Sequence, residues 1–182
     1  MKALHSVLRL VEQAATWIAA AFMFAIMVIV AADVFMRYVF NSPFGWAYDL
    51  ISLYLMAAVF FLVLSHAYLA GAHVSVDILQ QTLPPKPFRV TELVTTAVSF
   101  AVFVLIAWVG WHRMADAFEQ GDVLAGAIPW PTWPALALVP FGCGLLAVRL
   151  AIDFAGHLGS LLTGRDLIPL RRGAHHGQES FE

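Results

Sequence analysis

One uninterrupted apolar run constrains this chain more than any other feature. Residues 50–72 contain no Asp, Glu, Lys or Arg, and this run of 23 residues holds a single histidine. A helix needs about 20 apolar residues to cross a bilayer, because each residue advances it by about 1.5 Å. Similar uncharged runs occupy residues 14–32 and 93–111, and a fourth apolar stretch begins at Trp133. The sequence therefore predicts an all-α integral membrane protein with four transmembrane helices.

The composition supports this class and excludes others. Hydrophobic residues make up 61% of the chain, charged residues only 12%, and the mean hydropathy is +0.80. Soluble domains carry about twice that charge. A net charge of -2 argues against a nucleic-acid partner, which would require a basic surface. The single cysteine, Cys143, excludes an internal disulfide and a cysteine-based metal site, and we interpret it as a small packing residue.

The predicted spans cover residues 14–36, 46–69, 92–115 and 133–155. The first uncharged run has 19 residues, more than the roughly 7–15 of a cleaved signal core, so we expect it to be retained. Val74, Ile78 and Leu79 share one side of residues 73–83, which predicts a short interfacial helix between spans 2 and 3. We expect residues 1–163 to form the transmembrane domain and residues 164–182 to form a polar cytoplasmic tail.

The distribution of basic residues predicts the orientation. Eight of the ten Lys and Arg residues lie before span 1, between spans 2 and 3, or from Arg149, near the end of span 4, onward. Because cytoplasmic segments are enriched in Lys and Arg, both termini should be cytoplasmic. The loops after spans 1 and 3 should then face outward.

Polar residues crowd the loop that joins spans 1 and 2. Asp33 and Arg37 are four residues apart, which favours a helical ion pair, although either could instead contact a partner. The Asn41–Pro43 segment predicts a turn and a helix start, because Asn or Ser caps a helix and Pro suits its first turn. Trp46 is typical of a headgroup anchor. Asp49 either complements the helix dipole, pairs with Arg37, or contacts a partner.

Two other segments carry candidate residues. His73 and Asp77 are four residues apart on one helical face, and we favour a local hydrogen bond between them over a metal site. Trp130 and Trp133 stand among prolines before span 4. We interpret them as headgroup anchors, with docking of a partner protein as the alternative.

The middle of each predicted span lacks charged residues, whereas a solute carrier usually places ionisable residues or broken helices near the midplane. We therefore expect that this chain does not itself hold a transported species. No catalytic, phosphate-binding or zinc motif occurs, and we predict no enzyme activity, cofactor or metal. A haem between His66 and His157 remains an alternative, whereas His66 and His112 lie at opposite ends of their spans.

Together these motifs, in their order and spacing, resemble a known family. The chain is similar to the small membrane subunit, or DctQ-type small permease, of tripartite ATP-independent periplasmic (TRAP) transporters. The resemblance covers about residues 10–160. One position departs from the family pattern, since Tyr48 replaces the first of two paired acids and leaves Asp49 alone. The motifs that carry it are Arg37-Tyr-Val-Phe-Asn41-Ser-Pro43, Trp46, Asp49, Gly71-Ala-His73-Val-Ser-Val-Asp77 and Ile128-Pro129-x-Pro-x-Trp133.

The resemblance implies an accessory subunit in a bacterial inner membrane. Its partners would be the lipid bilayer, a large membrane subunit that carries solute and sodium, and a periplasmic substrate-binding protein. The solute would be a small organic anion such as a carboxylate, and this chain would brace the large subunit. A membrane anchor or cytochrome-type subunit of a respiratory complex is the alternative.

Alanine-rich stretches suggest which helices meet the large subunit. Helices pack closely in membranes through small residues, because lipid provides no hydrophobic reason for them to associate. We therefore predict that spans 1 and 2, with the polar segments at their ends, form much of the surface for the partner. The alanines concerned are Ala14, Ala15, Ala19, Ala20, Ala21, Ala57 and Ala58.

Overall fold

Four long helices account for nearly all of the described structure. The computed structural model describes the backbone of residues 2–70, 85–126 and 128–163, and the side chains of residues 6–70, 90–126 and 128–159. The interfacial helix predicted within residues 73–83, with His73 and Asp77, lies outside the described residues, as does the predicted tail. The helices are α1, Lys2–Phe40; α2, Ala47–Leu69; α3, Pro85–Gln120; and α4, Trp133–Thr163.

All four helices are long and apolar enough to cross a membrane, which confirms the predicted fold class. Helices α1, α3 and α4 also extend beyond their predicted spans, whereas α2 lies within the predicted residues 46–69. The 39 residues of α1 measure about 58 Å at 1.5 Å per residue, about twice the thickness of the hydrocarbon core. α1 must therefore tilt or project beyond the hydrocarbon.

Helix α2 contains an irregularity that the sequence analysis did not predict. It is α-helical over Ala47–Leu50, π-helical over Ile51–Leu55 and α-helical again over Met56–Leu69. Ser52 Oγ donates a 2.7 Å hydrogen bond to the Tyr48 carbonyl, just before this π-helical segment. A π turn adds a residue to the helix and is frequent at functional sites.

The helices form an open row rather than a closed bundle. α1 packs extensively only against α2, α2 packs against α4, and α4 packs against α3. The order across the row is therefore α1, α2, α4, α3. As a result α4 is the most buried helix, and the two edge helices expose most of their apolar side chains.

The contact between α1 and α2 is made by small residues. Ala15 and Ala19 of α1 are buried against Ala58 and Leu62 of α2. These three alanines, which the sequence analysis assigned to the partner surface, therefore pack within the chain instead. Ala20, by contrast, stays exposed and is available to a partner.

Helices α2 and α4 approach even more closely, at a glycine. A Cβ atom placed on Gly142 would lie 2.8 Å from the Phe61 Cβ and nearer still to the Phe61 carbonyl oxygen. Only hydrogen fits here, so the two backbones are in direct contact. Because Tyr54 also reaches Pro131 near the start of α4, the two helices run parallel.

Candidate functional site

Polar side chains gather at the two ends of the row. The loop end carries the turn at residues 41–46 and the loop at residues 121–132, and the terminal end is where α1 begins and α4 ends. Between these ends, the described helices place no Asp, Glu, Lys or Arg over residues 13–32, 50–70, 93–112 and 133–148. The charged side chains of the described part of the chain therefore lie toward one end of the row or the other.

Asp33 organises the turn at the loop end. Its Oδ2 accepts a 2.9 Å hydrogen bond from Arg37 Nη2, and its Oδ1 accepts a 2.7 Å bond from the Phe44 amide. The first contact is the predicted helical ion pair. The second, across the turn, was missed because hydrogen bonds to a turn amide leave no periodic signal in the sequence. Asp33 thus ties the end of α1 to the start of α2.

Asn41 and Trp46 shape the same turn. Asn41 has a φ of 53°, the left-handed conformation that ends many helices and that Asn tolerates better than most residues. The Trp46 ring stacks on Phe44 with centroids 5.4 Å apart. Asn41 and Pro43 are exposed, and Trp46 is half-buried. The chain turns between α1 and α2 here, but the helix start predicted at Asn41–Pro43 is wrong, because Asn41 follows the end of α1 and α2 begins only at Ala47, with Trp46 at its N-cap position.

Asp49 faces the second loop rather than the first. It lies in the first turn of α2, as expected of an acid that complements the helix dipole. A Cβ atom at Gly126 would overlap its carboxylate, so glycine at that position lets the loop approach Asp49. Arg37 is paired with Asp33 instead of Asp49. The sequence analysis offered three roles for Asp49, and the predicted pairing with Arg37 is the one that this structure contradicts.

The loop before α4 is folded against α2. Val123 and Pro131 form an antiparallel bridge, and the Tyr54 hydroxyl donates a hydrogen bond to the Pro131 carbonyl. The Trp130 ring meets Tyr54 edge-on with centroids 5.9 Å apart, and its Nε1 is buried without a hydrogen-bond partner among the described residues. Trp133 packs edge-on against Phe118. Both tryptophans therefore pack against the chain itself, and Trp133 remains partly exposed.

An apolar groove of about 490 Å³ lies beneath this loop. Its walls come from three helices, with Phe22 from α1, Ala58 from α2 and Leu138 from α4, and Trp130 closes its loop end. No charged side chain lines it. The groove is therefore unsuited to hold an organic anion.

The terminal end holds buried polar side chains that the sequence analysis did not recognise as a group. Ser65 Oγ donates a 2.6 Å hydrogen bond to Glu12 Oε1, and Glu12 is only 1% exposed. Glu12 precedes the predicted first span, which starts at residue 14. The burial of Glu12 could have been predicted from helical spacing. This spacing places Glu12 on one face of α1 with Leu8, Ala15 and Ala19, and that face is buried.

The histidines do not form a haem site in the arrangement considered from sequence. Phe61 lies beside Gly142, so His66 is level with residue 147 of the parallel helix α4. His157 lies ten residues further along α4, which is about 15 Å at 1.5 Å per residue. His66 is also exposed, whereas His157 is buried. No group of three or more metal-binding side chains occurs among the described residues.

Four membrane-spanning helices, charge-free middles and polar ends define a multi-pass α-helical membrane protein with no recognisable solute site in its described part. The family model described as "Tripartite ATP-independent periplasmic transporters, DctQ component" matches residues 26–159, about three-quarters of the chain. The chain therefore belongs to the DctQ family and is a small permease subunit of a TRAP transporter. This confirms the resemblance found in its motifs.

A curated relative agrees with this assignment. Over 90% of its own length and 76% of the relative's, the chain is 25% identical to the C4-dicarboxylate TRAP transporter small permease protein DctQ of Vibrio cholerae serotype O1 (strain ATCC 39315 / El Tor Inaba N16961). No solved structure matches the chain significantly.

Proposed function

We propose that this chain is an accessory subunit that braces the large membrane subunit of a sodium-driven, binding-protein-dependent transporter. The observation that carries the proposal is the absence of charged side chains from the middle of every described span. A subunit that carried an anion and sodium would need polar groups at that depth. The bracing subunit needs only a rigid body and a surface for its partner.

The transported solute is, in this proposal, a small organic anion such as a carboxylate. The name of the Vibrio cholerae relative, a C4-dicarboxylate permease, supports this class. Toward the loop end, Arg37 is held by Asp33 and Arg113 stands exposed on α3, and neither arginine lines the apolar groove. Selection of the solute then belongs to the large subunit and the periplasmic binding protein.

The open row provides the surface for the large subunit. Edge helix α1 packs extensively only against α2 and leaves Trp17, Phe24 and Met27 exposed, among others. We assign α1 and α2 to the partner interface, as the sequence predicted. Asp33, Arg37, Asn41, Pro43, Trp46 and Asp49 shape the end of that surface, and the proposal gives His73 and Asp77 the same role at the other membrane face.

The periplasmic binding protein is proposed to dock at the loop end. The loop at residues 121–132 is held against α2 by Tyr54, and Trp133 is 38% exposed beside it. A partly exposed aromatic beside a fixed loop is a favourable contact for a protein partner. The binding protein would therefore meet Trp133 more directly than the half-buried Trp130.

The proposal is tested by reconstitution. Proteoliposomes that contain the large subunit with this chain should take up labelled C4-dicarboxylates when a sodium gradient and the binding protein are present. Omission of this chain should abolish uptake. Full uptake by the large subunit and binding protein alone would contradict the accessory role, and uptake without sodium would contradict the coupling.

A matched pair of substitutions tests the interface. Ala20 and Ala101 are exposed alanines on α1 and α3, the two edges of the row. We expect Ala20→Trp to release most of the large subunit in a pull-down, because a bulky ring prevents close helix approach. Ala101→Trp should retain it. The opposite result would place the partner on the α3 edge. Ala147 is buried and therefore unsuitable as a control.

The orientation is tested by cysteine labelling. Both termini are proposed to be cytoplasmic and the loop end periplasmic. Cys143 is buried and should give little background. An impermeant thiol reagent added to intact cells should then modify Ser42→Cys, which is exposed, but not Lys86→Cys. Modification of the cysteine at position 86 from outside would overturn the orientation.

A further inference from the structure

Every buried polar or charged residue of the described chain lies toward the terminal end of the row. The set comprises Glu12, Ser65, Thr96, Arg149, Asp153 and His157. All four helices contribute to it. Since buried polar groups cost free energy unless they are paired, such a one-sided concentration requires an explanation.

Glu12 is the most deeply buried member. One carboxylate oxygen accepts the bond from Ser65, but Oε2 is buried with no hydrogen-bond partner among the described residues. A buried carboxylate with one neutral donor is poorly compensated, because removing a charge from water is costly when no counter-charge is near. Glu12 therefore needs a positive group nearby.

Arg149 has buried hydrogen-bond donors that lack acceptors. It is 7% exposed, and its Nε lies 3.9 Å from Asp153 Oδ1, too far for a hydrogen bond. Both Nε and Nη1 are buried without a hydrogen-bond partner. The guanidinium therefore has donors to spare where Glu12 lacks one.

The helix packing brings the two charges to a similar depth. Phe61 lies beside Gly142, and α2 and α4 are parallel, so Ser65 is level with residue 146. The Arg149 backbone lies three residues further toward the terminal end than residue 146. Side chains on a helix, however, point back toward the N-terminus of that helix, which for α4 is the loop end. The guanidinium is thereby carried toward the level of Ser65 and Glu12, and α2 is the one helix that packs against both α1 and α4.

We propose that Glu12 and Arg149 are the opposite charges of one buried polar site that links α1 to α4 past Ser65 through hydrogen-bonded water. Asp153, on the same helix, contributes a second negative charge 3.9 Å from Arg149 Nε. The site fixes the depth of α1, which otherwise packs extensively only against α2. It does not form an ion path, since no buried polar residue of the described chain continues it toward the loop end.

A double-mutant cycle tests this site in the full chain, purified with its large subunit. Glu12→Gln and Arg149→Met each remove one charge and leave the other buried alone, so each should shorten the half-life of the folded complex in detergent by about tenfold or more. The double variant should outlast both single variants. Glu119→Gln and Arg113→Met, both on exposed residues of α3, serve as controls and should change little.

The double-mutant cycle shows whether Glu12 and Arg149 stabilise the complex as a pair or independently. A double variant that outlasts both single variants supports the pairing. Recovery by the exchange Glu12→Arg with Arg149→Glu would support it further. A double variant no more stable than the worse single variant, including one that fails to accumulate at all, overturns the proposal.

Discussion

Replacement of Gly142 by alanine should cause one of the largest losses of stability in this chain. The added Cβ would meet the Phe61 backbone, which cannot move aside as a flexible side chain can. Overpacking a close contact typically costs roughly 1–3 kcal/mol, and we expect the upper part of that range because α2 and α4 must separate. Tryptophan fluorescence during denaturation in detergent would measure the loss.

Two other glycines serve as graded controls for this substitution. A Cβ at Gly144 would meet nothing within 4 Å, so Gly144→Ala should be neutral or slightly stabilising. A Cβ at Gly110 would lie 2.9 Å from Val139 Cγ1, a side-chain atom that can shift, so Gly110→Ala should fall between. Equal effects at positions 142 and 144 would contradict a direct contact between the two backbones.

Replacement of Asp33 by alanine should have the second large effect, at the loop end. It removes the acceptor of the Phe44 amide as well as the partner of Arg37. A hydrogen bond to a charged group contributes about 1.5–3 kcal/mol, so the start of α2 should loosen. Faster labelling of a cysteine at position 42 and weaker capture of the large subunit would report this.

Two further variants separate the contributions of Asp33. The Arg37 side chain is 60% exposed, and exposed ion pairs contribute only about 0–1 kcal/mol. Arg37→Ala should therefore be much milder than Asp33→Ala. Asp33→Asn keeps an acceptor for the Phe44 amide and should also be milder. If Arg37→Ala were as harmful as Asp33→Ala, the ion pair would matter more than the tie across the turn.

Local sequence signals predicted the elements of this structure but not their partners. The uncharged runs predicted the four spans because a bilayer requires a fixed length of apolar helix. The spacing of Asp33 and Arg37 predicted their ion pair because neighbours on a helix are set by its pitch. The π turn at Ile51–Leu55 and the bond from Asp33 to the Phe44 amide gave no such periodic signal.

The same limit applies to the candidate sites. Trp130 and Trp133 were recognisable as aromatic residues at a membrane surface, but only the fold places Trp130 against Tyr54 and closes a groove beneath it. Likewise, the alanines of α1 looked alike in the sequence. The structure buries Ala15 and Ala19 against α2 and leaves Ala20 for another contact.

By itself the sequence determined the membrane class, the four helices, the charge-free middles and the family resemblance. Each follows from composition, periodicity or motif order along one chain. Only the tertiary structure decided the order α1, α2, α4, α3 and the burial of Glu12 beside Ser65. The physical reason is that an apolar side chain is about as stable against lipid as against another helix. Hydrophobicity therefore does not indicate which face of a helix contacts a neighbouring helix. Close contacts such as Gly142 with Phe61 make that choice, and they join residues far apart in the chain.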